Sequence, residues 1–135
     1  MGIRITFPEG LKVVAEFDNG RSVATDQPVE SGGDGSAPSP FDLFLASLGT
    51  CAGIYVLGFC RHRGIATEGL ALRQWMEYSD TDDGKKRLAK VGMEITVPPG
   101  FPEKYRTALI KTAELCAVKK ALMDPPEFEI TVTPA

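Results

Sequence analysis

The chain predicts an α+β fold with two helices, in the order βββ-α-ββ-α-β. Two observations carry this expectation. Strands arrive in runs and do not alternate one for one with helices, which excludes a doubly wound parallel sheet. Between the runs lie two segments of helical length, one of them without a charge from Leu43 to Cys60.

The first three strands are read at Ile3–Pro8, Leu11–Phe17 and Arg21–Asp26. Pro8-Glu9-Gly10 and Asp18-Asn19-Gly20 separate them, and Asn-Gly between alternating segments signals a hairpin. Residues 27–38 read as a flexible glycine-rich loop with little that packs. A helix start follows, with Ser39 as N-cap, Pro40 at the first helical position and Asp42 closing a capping box. The helix is expected to run to about Arg63, where Gly64 stops it and Arg61-His62-Arg63 meets the negative end of its dipole. Gly69–Ser79 and Leu88–Val97 read as a strand pair joined by a polar turn, with Val91, Met93, Ile95 and Val97 on one face. After Pro98-Pro99-Gly100, residues 102–123 read as one helix with Leu109, Ala113 and Cys116 near one side. Asp124-Pro125-Pro126 ends it, and Phe128–Thr133 alternates as a last strand.

At 135 residues the chain is expected to form one domain, 1–135, large enough to fold without a disulfide or metal. Apolar residues make up 43% and charged residues 24%, which excludes a disordered or disulfide-stapled chain. The net charge of −3, with no continuous Lys or Arg patch, argues against nucleic acid and anionic membranes as partners. Three cysteines, an odd number, and no apolar leader after Met1 point to the cytoplasm. The 18 uncharged residues from Leu43 to Cys60 include three glycines, Ser47 and Thr50, so a buried core helix is expected, not a membrane span.

Little conventional chemistry is available. His62 is the single histidine, placed between two arginines at a helix end, so neither a multi-histidine metal site nor a Ser-His-Asp triad is expected. There is no CxxC, Walker loop or GxGxxG, and Asp34 and Asp42 would repel an anion from the glycine-rich loop.

The cysteines remain. Cys51 and Cys60 sit half a turn out of phase and roughly 13 Å apart along one helix, too far for a disulfide. Cys116 comes from the other helix and can meet either. Lys119 and Lys120, three and four residues on, place positive charge beside it. Cys60 reads as a core residue. For Cys51 and Cys116, core packing and redox chemistry both stand on these residues alone.

Ser39-Pro40, the apolar helix bearing Cys51, and the later run Leu115-Cys116-Ala117-Val118-Lys119-Lys120 together resemble the OsmC/Ohr family of osmotically inducible and organic-hydroperoxide-resistance proteins. The likeness spans nearly the whole chain. It implies an intertwined homodimer with two long central helices buried against sheets from both chains. It also implies thiol peroxidase chemistry without a cofactor: Cys51 attacks an organic hydroperoxide, Cys116 resolves the product to a disulfide, and a dithiol or thiol reductant restores both. The family peroxidases place a Glu after the helix-starting Pro, paired with an Arg from the N-terminal strands. Here Phe41 stands at the Glu position, Gly10-Leu11-Lys12 occupies the Arg neighbourhood, and Ala117 follows Cys116 where Pro is usual. The pattern is closer to the OsmC-like branch that lacks the Arg–Glu pair. Arg21, on the next strand, is the candidate substitute cation, a plain surface hairpin arginine being the alternative reading, and Phe41, Phe44 and Tyr55 are the expected apolar wall for a fatty or aryl hydroperoxide. The alternative is a non-catalytic protein of the same fold that binds a small apolar ligand or senses oxidant. A third reading leaves both cysteines in the core.

Overall fold

A computed structural model describes residues 1–135. Three strands, β1 (Ile3–Thr6), β2 (Val13–Phe17) and β3 (Ser22–Thr25), precede a long helix, α1 (Pro40–His62). A hairpin, β4 (Ala71–Asp80) and β5 (Lys86–Thr96), and two short helices, α2 (Arg106–Ala113) and α3 (Ala117–Met123), complete the order. Backbone contacts group the chain into two compact units, 1–46 and 47–135.

In the first unit β2 lies between β1 and β3, antiparallel to both, with Ile5 opposite Ala15 and Ala15 opposite Val23. The second hairpin turns where the sequence writes Asn-Gly. Gly20 adopts φ +84, and the Asn19 side chain accepts a hydrogen bond from the Arg21 amide at 3.0 Å. The glycine-rich loop is ordered, contrary to its sequence reading. Asp26, fully screened from solvent, accepts hydrogen bonds from the Gln27 amide (2.8 Å) and from the Ser36 amide and hydroxyl (3.0 and 2.6 Å). Gly33 passes so close to the Gln27 carbonyl that a Cβ would collide with it. A carboxylate with three donors organises what composition marked as slack.

The start of α1 is the capping box written in the sequence. The Asp42 amide donates to Ser39 Oγ (3.2 Å) and the Ser39 amide donates to Asp42 Oδ2 (3.1 Å). At the other end, Gly64 at φ +64 lets the Ile65 amide reach the Cys60 carbonyl at 2.9 Å, closing the helix as a glycine C-cap does.

In the second unit Leu48, Ala52, Val56, Phe59 and Cys60 form one buried stripe along α1. Val56, Phe59 and Cys60 pack with Phe101 and Leu109, and Ile95, Val97 and Tyr105 close around them. Arg63 lies 3.6 Å over the Phe59 ring. β4 and β5 are antiparallel with a register shift at Glu77/Tyr78. Trp75 stands opposite Gly92, and its indole covers the space that a Cβ there would need.

Three further sequence expectations are corrected. The helix over residues 102–123 is broken: a 3₁₀ turn at Glu103–Tyr105 leads into α2, and α3 starts afresh after Cys116. The last strand over Phe128–Thr133 does not form, because no strand of this chain accepts its hydrogen bonds. Finally, α1 is not enclosed on every side within one chain. Ile54 is 60% exposed, and α1 is long and apolar enough by length and composition to cross a membrane.

Candidate active site

The break between α2 and α3 creates the site. Cys116 takes φ −44 and ψ 122, outside helical geometry, and its Sγ accepts a hydrogen bond from the Lys119 amide at 3.4 Å. The sulfur therefore does what a Ser or Asp oxygen does at an N-cap. The lysine backbone, and not its ammonium group, is the partner given to Cys116 by this turn. On its other side the Cys116 thiol points to the Leu48 carbonyl at 3.9 Å. Leu48 lies one turn ahead of Cys51 on α1.

Cys51 is half-buried and Cys116 buried, and both are free thiols. Hydrogen bonding from the Val118 amide lowers the Cys51 pKa below the ordinary thiol value; the Cys116 side chain and the Ala117 amide add to this, against the opposing effect of burial. Cys51 sits three turns into its own helix and receives no help from that N-terminus. The first-turn amides of α3 supply the help instead. Cys60 is the contrast: burial pushes its thiol up, and Arg63 opposes this only in part.

Beside Cys116 lies a cavity of about 530 Å³, which Cys51 does not line. Leu48 and Ala52 of α1, Val91 and Met93 of β5 and Leu109 of α2 line it, with Cys116 in the wall. Its charged lining groups are Arg106, Glu114 and Lys119. The volume and apolar walls suit a small organic molecule.

Of the sequence-derived site residues, the structure brings together Cys51 and Cys116. Tyr55 lies one turn beyond Cys51 on α1, half-buried, and does not line the cavity. Phe41 and Phe44 pack on each other in the first turn of α1, ring centres 5.4 Å apart. Arg21 is exposed immediately before β3. The small residues around Cys51 serve different ends: Gly49 makes room for the Gln74 side chain of β4, whereas Gly53 faces open space. Sequence reasoning missed the cavity and the α3 amides, because both depend on a helix break that no Pro or Gly announces. The available signal was Cys116 itself, a thiol at the N-cap position with helix formers after it.

A family model described as OsmC-like protein matches residues 33–131. This chain belongs to the OsmC-like protein family. Among solved structures, it is similar to a Psychrobacter arcticus protein whose name ties it to osmotic stress induction and the detoxification response. The identity is 25%, the coverage 88% of this chain and 85% of that one, and the TM-score 0.72. An OsmC-like protein of unknown function from Vibrio cholerae gives 13% identity, coverage of 89% and 91%, and a TM-score of 0.68. A Legionella pneumophila protein named OsmC, an organic hydroperoxide resistance protein, gives 20% identity, coverage of 90% and 89%, and a TM-score of 0.58. At these last two identities the likeness is one of fold. A search of curated protein sequences finds no match.

Proposed function

We propose that this OsmC-like protein is a cysteine-dependent reductase of organic hydroperoxides. The observation that carries the reading is the meeting of Cys51 with Cys116 at the head of α3, where the Val118 amide favours the Cys51 thiolate. The Cys51 thiolate attacks the terminal peroxide oxygen, the O–O bond breaks, and the alkoxide takes a proton to leave as an alcohol. Cys51 is then a sulfenic acid. Cys116 displaces its oxygen as water and forms the Cys51–Cys116 disulfide, which a dithiol or a pair of thiols reduces. The names of relatives such as the Legionella protein point the same way.

An apolar hydroperoxide is the proposed substrate class, supported by the walls of the neighbouring cavity. Phe41, Phe44 and Tyr55 as further apolar contacts, and Arg21 as a cation for the site, rest on the sequence reading. A cytoplasmic homodimer is proposed on the family resemblance and on the exposed apolar side of α1 at Ile54. The second reading is a binding or oxidant-sensing protein without turnover. What favours it is Phe41, an apolar residue where the family peroxidases hold a carboxylate.

The test is to mix reduced protein with cumene hydroperoxide, without reductant, alongside Cys51→Ser. Loss of two thiols together with the mass of two hydrogens, absent in the variant, is the expected result. Thiols that survive prolonged excess peroxide overturn the peroxidase reading and leave ligand binding.

A further inference from the structure

α3 is held from one end. It has seven residues, none of them buried, and Val118 alone is half-buried. A helix this short is marginal in water on propensity, so its cap and tertiary contacts decide whether it forms. Asp124 and the two prolines after it end the helix and are all exposed.

What fixes the first turn of α3 is sulfur. The Lys119 amide donates to Cys116 Sγ at 3.4 Å, and the same thiol points to the Leu48 carbonyl of α1 at 3.9 Å. The Val118 and Ala117 amides face the sulfur of Cys51. Three successive amides of α3 therefore rest on the two thiols that the proposed reaction joins. α3 is also part of the cavity wall, where Lys119 and Leu122 stand beside Cys116.

Joining the thiols removes those partners. The pair loses two protons and two electrons, the hydroperoxide takes them up as it becomes an alcohol and water, and an S–S bond forms. A disulfide requires Cβ atoms about 3.5–4.5 Å apart and a dihedral near ±90°, so Cys116 Sγ is turned toward Cys51 and fixed there, away from the Lys119 amide. Cys51 no longer offers a thiolate to the Ala117 and Val118 amides, and Cys116 has no proton left to give Leu48. The cap of α3 and its tie to α1 go together.

We propose that α3 is a redox-operated flap: it is ordered on the two free thiols and loosens when they join, opening the cavity at Lys119 and Leu122. The sulfur reached through the opened wall is that of Cys116, which is buried in the dithiol form and lines the cavity, whereas Cys51 does not. Opening lets the external thiol attack it, and reduction returns both sulfurs to the α3 amides and closes the flap. The flap rests on the Cys51–Cys116 pairing of the proposed function and acts on the reductive half of the cycle.

Amide hydrogen exchange over residues 117–124 of the full chain, compared between the reduced and the disulfide form, tests it. The disulfide is made in parallel with cumene hydroperoxide and with diamide, an oxidant that needs no peroxide site, and is mapped to Cys51–Cys116 by mass spectrometry. The expected result is exchange at least about tenfold faster in the disulfide form, reversed by dithiothreitol, while peptides from α2 and β5 change little. Cys116→Ala kept reduced is expected to exchange as fast as oxidised wild type, and Cys116→Ser to stay close to reduced wild type. Equal exchange in the two redox states, or a reduced Cys116→Ala with α3 still fully protected, overturns the flap. A disulfide formed by diamide but not by cumene hydroperoxide, with α3 loosened, supports the flap and counts against the peroxidase reading. No disulfide with either oxidant removes both.

Discussion

The sulfur of Cys116 lies 3.9 Å from the carbonyl oxygen of Leu48, a residue 68 positions earlier in the chain. That contact pins the head of α3 against α1 one turn before Cys51. It turns two unrelated cysteines into neighbours and brings the α3 amides to the Cys51 sulfur. Neither helix supplies the arrangement alone.

Substitutions at Cys116 separate its two roles. Cys116→Ser keeps an N-cap oxygen and a donor, so Cys51 is expected to alkylate with a pH profile close to wild type while peroxide oxidation stops at the sulfenic acid. Cys116→Ala removes both, moves the profile to higher pH and costs about 0.5–2 kcal/mol of stability as the cap is lost. The sign follows from the lowered Cys51 pKa. The native state favours the thiolate, so its contribution is complete above the unfolded thiol pKa and is lost as pH falls through the folded one. Iodoacetamide rates read by mass spectrometry from pH 5 to 9 check this. Cys60, with its thiol pushed up and buried, stays silent at neutral pH.

Asp26 holds the loop between β3 and α1. Its three donors lower its pKa to about 2, with the Ser36 hydroxyl contributing most. A depressed carboxylate pKa stabilises the fold above the unfolded value near 4, and the effect disappears as pH falls through about 2. Asp26→Asn is therefore expected to be less stable than wild type at pH 7, and the difference in urea midpoint should shrink between pH 4 and pH 2. A gap that stays constant over this range would show that the carboxylate charge is not what orders the loop.

Trp75 is the single tryptophan, and it covers Gly92 across the β4–β5 pair. A methyl group at 92 meets indole carbon, so the ring must lift from the sheet. Gly92→Ala is expected to cost about 1–3 kcal/mol and to shift the emission to longer wavelength as the ring gains water. Unchanged fluorescence in the variant would show that the indole does not rest on that backbone.

Much of the fold was legible because its signals are local. Asn19-Gly20 turns a hairpin, Ser39 and Asp42 cap a helix and Gly64 ends it, each through contacts within a few residues. The site was half legible. The family resemblance names Cys51 and Cys116 as a pair, and the structure brings them together. The partners that set the Cys51 thiol could not be named, because residues 102–123 hold good helix formers throughout and nothing local marks a break. The terminal alternation failed for the opposite reason: its pattern is sound, but a strand needs a hydrogen-bonded neighbour, and no strand of the chain pairs with it.

By itself the sequence determined the class of fold, the ends of α1 and the first two turns, since each depends on backbone preference and side-chain period over short spans. Tertiary structure decided the rest. The place of Cys116 against α1 and the lowered Cys51 pKa arise where groups distant in sequence meet, and the order in the glycine-rich loop arises where Asp26 gathers donors up to ten residues away. A local propensity cannot report a donor that arrives from 68 residues away.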